Sequence, residues 1–169
     1  YEISACLVGS EMCIRDSHGT MKKEILKAVM DRIRQKLPAL RWVDADEGQL
    51  DFSDSRPPVA FPCCLVELSY PDADNIAAAH ASVQRVEAAV SLKIGFNDCA
   101  SFNANKPVAV QDVAFARIDF LEDIHKALQG YRMDNCSKSF RRKSCRPQKR
   151  PDGLKVYEAV YMAEFIDRI

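Results

Sequence analysis

The sequence predicts an α+β fold, in which two helices pack on one face of a mixed, mostly antiparallel sheet that ends in a long C-terminal β-hairpin. Two segments repeat apolar residues at helical spacing, several others alternate apolar and polar residues, and their order is α-β-(β)-β-β-α-β-β. A chain of 169 residues that is 47% hydrophobic and 28% charged suits one such domain. A domain of this size buries about two-thirds of its unfolded surface.

Two segments have the spacing of amphipathic helices. The first begins at Thr20, which can cap it, and ends before Pro38; its apolar residues are Ile25, Leu26, Val29, Met30, Ile33 and Leu37. The second runs from Val108 to Gln129, and we expect its apolar stripe to be Val110, Val113, Ala114, Ile118, Leu121, Ile124 and Leu128. We expect the other side of the second helix, which includes Arg117, to face water.

The first strands are predicted from alternation and turn residues. Leu40–Ala45 and Gln49–Phe52 are short candidates around a turn, and the apolar run Val59–Tyr70 indicates a buried strand. The segment Pro71–Ala81 fits either a helical turn or a loose edge strand. The clearest alternation spans Val83–Phe96, with Val86, Ala88, Val90, Leu92, Ile94 and Phe96 on the buried face and Arg85, Glu87, Ser91 and Lys93 on the wet face.

The C-terminal hairpin contains a strand that is apolar on both faces. A polar segment, Lys138–Arg146, is followed by a Pro-Asp-Gly turn and by the strand Leu154–Arg168. One face of this last strand is Tyr157, Ala159, Tyr161, Ala163 and Phe165, and the other is Val156, Val160, Met162 and Ile166, interrupted by Glu158 and Glu164. Such a strand needs two coverings: the helices can supply one, and a neighbouring subunit is a natural source of the other. Tyr157, Tyr161 and Phe165 are therefore candidate subunit-interface residues.

Positive charge is concentrated just before the final turn. Eight basic residues and one acidic residue lie between Arg132 and Arg150, which leaves sixteen basic and twenty-three acidic residues, a net charge of −7, in the remainder. The candidate partner-facing or DNA-facing arm consists of Arg141, Arg142, Lys143, Arg146, Lys149 and Arg150. Strand alternation puts Arg142 and Arg146 on one face and Arg141 and Lys143 on the other. The arm is interpreted as the projecting limb of a hairpin, which stays in water or contacts an acidic protein; sequence-independent contact with DNA is the alternative.

The sequence carries no recognisable catalytic or metal-binding pattern, so we expect no enzyme, no cofactor and no metal site. His80 and His125 are the remaining candidate general bases, and Asp119, Glu122 and Asp123 share a helix face at ordinary ion-pair spacing. The seven cysteines include no CxxC pair, and the phosphate-loop, dinucleotide-binding and hydrolase motifs are missing. No run of about 18 apolar residues could span a membrane.

The first residues require a separate interpretation. The string CLVGSEMCIRDS, within residues 1–19, resembles a translated sequencing-adapter remnant. We therefore expect residues 1–19 to be a non-native, disordered leader and residues 20–169 to form the single domain, with Met21 as the natural start.

Three stretches together resemble a known family: MKKEILKAVMDRIRQKLPALRWVDADEGQLD, RPPVAFPCCLVEL and QKRPDGLKVYEAVYMAEFIDR. They are similar to the tail terminator, or tail completion, proteins of long-tailed bacteriophages and prophages, over Met21 to Ile169. The resemblance implies a mixed sheet with two helices and a hexameric ring that caps the tail tube and joins it to the head. It also implies tail-tube and neck proteins as partners, no catalytic residues, and a location in the virion tail or neck after assembly in the host cytoplasm. The split between a negative body and a positive arm would suit head-to-tail contacts between identical subunits.

Overall fold

Seven elements make up the part of the chain that the computed structural model describes, which is residues 20–51, 56–77, 80–134 and 136–168. The expected leader, residues 1–19, lies outside it. The elements are α1 (Thr20–Lys36), β1 (Trp42–Ala45), β2 (Cys63–Ala77), β3 (His80–Phe96), α2 (Val108–Leu128), β4 (Cys136–Gln148) and β5 (Lys155–Arg168).

The strands form one five-stranded sheet in the order β1-β2-β3-β5-β4. β1 pairs with β2 in parallel, and every other neighbouring pair is antiparallel. The predicted α+β class, with a mixed and mostly antiparallel sheet, is confirmed. The ambiguous stretch after Tyr70 is strand as far as Ala77, where β2 turns back into β3.

The prediction of a second short strand at Gln49–Phe52 is wrong for the residues that the structure describes there. Gln49 to Asp51 form a turn, in which the Asp51 amide donates to the Gly48 carbonyl at 2.9 Å. Gly48 adopts a φ of 85°, which favours glycine, and its own amide donates to Asp46 Oδ1 at 3.0 Å. These local bonds use the backbone groups that a strand would need, and Phe52 lies outside the described residues.

The main core lies between the two helices and one face of the sheet. Ile25, Val29 and Ile33 of α1 are fully buried, as their helical spacing predicts. They pack in one cluster with α2 and with the predicted inward faces of β3 and β5. We call this side of the sheet the helix face and the opposite side the back face.

The predicted apolar stripe of α2 is partly wrong. Val113 and Ile118 are 50% and 41% exposed, whereas Arg117, expected in water, is 3% exposed. Arg117 is tolerated inside because its Nη1 donates to Asp98 Oδ1 at 3.0 Å, and its guanidinium lies 5.2 Å from the centre of the Phe102 ring. The helix is therefore turned so that one charged side chain replaces an apolar one in the interior.

The back face is covered at one end by the chain itself. Leu50 and Val59, from the connection between β1 and β2, pack on Cys63, Leu65 and Val156 in a second, smaller core. At this end of β5, the covering that we expected from a neighbouring subunit comes from within the domain.

Candidate functional site

The predicted arm is the edge strand of the sheet and its turn. β4 pairs with β5 from Cys136 to Gln148, alongside the full length over which β3 pairs with β5. The interpretation as a projecting limb is therefore wrong, because the hairpin has the third strand beside it throughout. The turn follows the sequence, with Gly153 at a φ of 79°.

Bulges in β4 change the faces on which its cations lie. Arg142 pairs with Tyr161 and Ser144 with Val160, so Lys143 is an extra residue in the ladder. The extra residue reverses the alternation beyond it. Arg142 consequently lies on the helix face, whereas Arg146, opposite Glu158, lies on the back face with Arg141. The prediction that Arg142 and Arg146 share a face is wrong for this reason.

Four of the six candidate cations have a carboxylate partner within the chain. Arg146 Nη2 lies 3.0 Å from Glu158 Oε2, Arg141 Nη2 lies 3.5 Å from Glu87 Oε1, and Arg142 Nη1 lies 3.7 Å from Glu122 Oε1. Arg150 binds Asp152 and also donates to the Leu50 carbonyl. Within the described ranges, Lys143 and Lys149 have no ion pair.

Ion pairs also cover the far end of the back face. Glu164 accepts from Lys138 Nζ at 2.7 Å and lies 3.8 Å from Arg85 Nε. The hydrogen bond from Lys138 holds the pKa of the Glu164 carboxyl below its usual value. Met162, between Glu164 and Val160 on this face, is only 2% exposed. Long basic side chains therefore provide much of the covering that the two-faced strand requires.

The candidate interface residues of β5 lie on the helix face. Tyr161 and Phe165 are 1% and 2% exposed and belong to the main core, and Tyr157 is half-buried. In this conformation Tyr161 and Phe165 have almost no surface to offer a neighbouring subunit.

Both edges of the sheet are open over part of their length. The β4 edge is closed near Phe140, whose amide donates to the Tyr131 carbonyl at 2.8 Å, and it lacks a described neighbour strand from Lys143 to Gln148. At the other edge, β1 ends at Ala45, opposite Val66, so β2 has no described outer partner from Glu67 to Ala77. Sequence reasoning identified the first edge by its charge. It missed the second because local patterns predict where β1 ends but not the strand beside which β1 lies.

Two apolar surfaces border these edges on the helix side. Of the seven exposed large apolar residues in the described chain, five lie on α2 or on the loop before it: Phe102, Val108, Val113, Phe115 and Ile118. Next to the β2 edge, an open groove of about 620 Å³ runs between α1 and β2. Its apolar lining is Leu26, Met30, Val66, Leu68 and Tyr70, and its basic residues are Lys22, Lys23, Lys27 and Arg34.

The predicted chemical candidates are not brought together. His125 Nδ1 lies 3.4 Å from Tyr161 Oη, and burial raises the pKa of Tyr161 to about 12, so its hydroxyl stays neutral. In the described ranges no group of three or more His, Cys, Asp or Glu side chains could hold a metal ion. No described helix is long and apolar enough to cross a membrane.

Comparison with solved structures finds a similar fold at low sequence identity. No protein-family model and no curated protein matches the chain. Its fold is similar to that of a chain in the structure described as the virion of a native gene transfer agent (GTA) particle, with 16% identity and a TM-score of 0.44. The match covers 87% of this chain and 98% of that chain.

Proposed function

We propose that the chain is a structural assembly protein of a bacteriophage or prophage particle, and specifically a tail terminator. In this proposal a ring of copies, hexameric as in the family that the sequence resembles, caps the tail tube and presents the surface to which the head is joined. The protein acts through contacts with its own copies and with tube and neck proteins.

The observation that carries this proposal is the exposed apolar surface along α2. Phe115 is 53% exposed and its ring lies 5.3 Å from that of Phe102, which is 45% exposed. Ile118 follows Phe115 by three residues, so the two side chains are neighbours on the helix. Proteins that act alone rarely expose apolar side chains in such a group, and a group of this kind marks a protein contact.

The alternative function, a nucleic-acid-binding module, is disfavoured by the pairing of the cations. Phosphate binding by Arg141, Arg142, Arg146 or Arg150 would have to compete with a carboxylate already beside each of them. Lys143 and Lys149 alone would support only weak, sequence-independent contact.

Tail tubes test the proposal directly. Tubes are assembled from the major tail protein that the proposal requires in the same genome, mixed with gold-labelled protein and imaged by electron microscopy. We expect gold at one end of each tube, and weaker labelling by Phe115→Ser. The matched control is Trp42→Ser, which also removes an exposed apolar side chain, 38% exposed, but lies on β1. Labelling along the tube wall, or no labelling at all, would contradict the proposal.

A further inference from the structure

We propose that copies of this chain associate head to tail by joining their two open sheet edges, with β4 of one copy beside β2 of the next. This inference deepens the proposed function and rests on it for the identity of the partner, a second copy. The contact has two layers, one formed by the strands and one by the helices.

Strand directions permit this contact between copies in the same orientation. β2 is antiparallel to β3, β3 to β5 and β5 to β4, so β4 runs opposite to β2. A neighbouring copy that keeps its helices on the same side therefore presents β4 antiparallel to β2. The open length of β4, residues 143–148, lies level with β1, because both align with the same end of β3. The neighbouring copy must therefore be displaced along the strands by about six residues, or about 20 Å, to bring this length beside the open length of β2, residues 67–77.

Charges in the strand layer are opposite at the two edges. On the back face, β2 exposes Glu67, Asp72 and Asp74, which lie opposite Ser91, Glu87 and Arg85 of β3. β4 exposes Arg141 and Arg146 on the same face, with Lys143 at the bulge between them. Arg141 and Arg146 keep 63% and 73% of their side-chain surface exposed. Glu87 and Glu158 already lie beside these two arginines, so the positive charge without an ion pair at this edge, in the described part of the chain, is that of Lys143.

Charges in the helix layer are also opposite, but with the signs exchanged. The side of α2 next to the β4 edge carries Ile118 and Glu122, which face an open groove with Arg142 and Lys143. Asp119 is exposed beside them on the helix. The groove between α1 and β2 at the other edge offers an apolar floor and, on α1, four basic residues, including Lys23 and Lys27, with one acidic residue, Asp31. An apolar side chain of α2 can enter this groove while the acidic residues of α2 meet the basic residues of α1.

Because the two edges carry opposite charges, the head-to-tail contact is favoured over contacts that join two identical edges. Pairing β2 with β2 of another copy would place Asp72 and Asp74 against their own counterparts. Pairing β4 with β4 would place Lys143 and its neighbouring arginines against themselves. Like charges directly opposite in a sheet are destabilising, so only the head-to-tail arrangement is favourable in both layers.

Cross-linking tests the strand pairing in the purified full-length chain, without tail tubes. Cys145 is exposed on the helix face of β4, opposite Ala159, and Ala73 is exposed on the same face of β2, opposite Val86. The probe is Ala73→Cys, with Cys6, Cys13 and Cys99 replaced by Ser, treated with a short bismaleimide. We expect a ladder of dimers and higher species that disappears when Cys145→Ser is added. A single monomer band at millimolar protein concentration, or a ladder that persists with Cys145→Ser, overturns the inference.

Charge exchange tests the pairing by a second route. Lys143→Glu with Lys149→Glu replaces the two cations that have no described ion pair, at the β4 edge and in the turn after it, by carboxylates, and Asp72→Lys with Asp74→Lys makes the β2 edge basic. Each double variant should associate about tenfold or more weakly with itself, because like charges then face each other across the contact. An equimolar mixture should regain assembly, since each reversed edge finds an opposite edge on the other variant.

The outcomes separate this inference from the proposed function. Light scattering that shows no recovery in the mixture, while both variants keep the circular dichroism spectrum of the wild type, overturns the edge pairing. A ladder together with unlabelled tube ends would keep the head-to-tail contact and reject the tail terminator. Gold at the tube ends without a ladder would keep the tail terminator and reject the head-to-tail contact.

Discussion

Asp98 should be one of the most sensitive polar positions in the domain, because it neutralises a buried arginine. The Arg117 side chain is 4% exposed, its Nη1 donates to Asp98 Oδ1 at 3.0 Å, and its Nε has no hydrogen-bond partner. The other polar contact of this guanidinium is a long one, 3.5 Å from Nη2 to the Ala100 carbonyl. Asp98→Ala therefore leaves a buried positive charge with almost nothing to compensate it.

The expected cost follows from the burial of the two partners. Removing one partner of a buried ion pair costs about 3–5 kcal/mol of the free energy of unfolding. The Asp98 side chain is 25% exposed. Water that enters the vacated space can then partly solvate Arg117, so we place Asp98→Ala at the lower limit, about 3 kcal/mol. In the wild-type chain the Ala100 amide donates to Asp98 Oδ1 at 2.9 Å. Asp98→Asn keeps an oxygen that can accept this hydrogen bond and removes only the charge. Its cost should be about 1–2 kcal/mol, the difference between charged and neutral hydrogen bonds.

Urea unfolding followed by circular dichroism measures these costs. The matched control is Asp123→Ala, which breaks the ion pair with Lys126, whose side chains are 58% and 73% exposed. That change should cost no more than about 0.5 kcal/mol. The decisive variant is Asp98→Ala combined with Arg117→Met, which should be more stable than Asp98→Ala alone because it removes the buried charge. A double variant less stable than either single one, or an Asp98→Ala cost equal to that of the control, would refute the reasoning.

Three further measurements test other parts of the structure. Gly95→Ala would place a Cβ 2.8 Å from Cys63 Sγ, and the crowding should lower the free energy of urea unfolding by about 1–3 kcal/mol; an unchanged midpoint would contradict this packing. Because Lys138 lowers the pKa of Glu164, their pair stabilises the folded state above the usual carboxyl pKa and stops doing so as the pH falls through the lowered value. Lys138→Ala should therefore reduce the thermal midpoint at neutral pH more than at strongly acidic pH, and an equal reduction at both would count against the pair. If the paired arginines keep their carboxylates, only Lys143 and Lys149 contact phosphate. A plot of the logarithm of DNA affinity against the logarithm of salt concentration should then have a slope of about −2, whereas six phosphate contacts would give about −5. Fluorescence anisotropy of a labelled duplex measures the slope.

Local periodicity predicted the elements whose neighbours are uniformly apolar. The inward faces of α1, β3 and β5 are correct because each buried side chain meets another apolar one, so spacing alone determines the face. Arg117 differs because its burial depends on Asp98, nineteen residues earlier in the chain. No pattern within α2 contains that partner, so spacing alone places Val113 and Ile118, and not Arg117, on the buried side.

The faces of β4 were not predictable for a related reason. The strand is polar on both sides, so no alternation fixes its register, and a bulge costs little in apolar burial. The sequence identified the six cations as a group, but their partners come from β3, α2, β5 and the turn. Whether these cations are free to bind phosphate or are held by carboxylates depends on contacts that only the folded sheet creates.

The even balance of charge acquires a physical meaning in this arrangement. In the described residues, the basic β4 edge and the basic residues on α1 are accompanied by an acidic β2 edge and by Asp119 and Glu122 of α2. Opposite charges at opposite edges attract copies to one another, and the exchange of sign between the strand and helix layers opposes any copy that is inverted. A head-to-tail contact of the proposed kind leaves two ends free for further copies, and it gives a closed ring where the rotation between copies closes and an open filament where it does not.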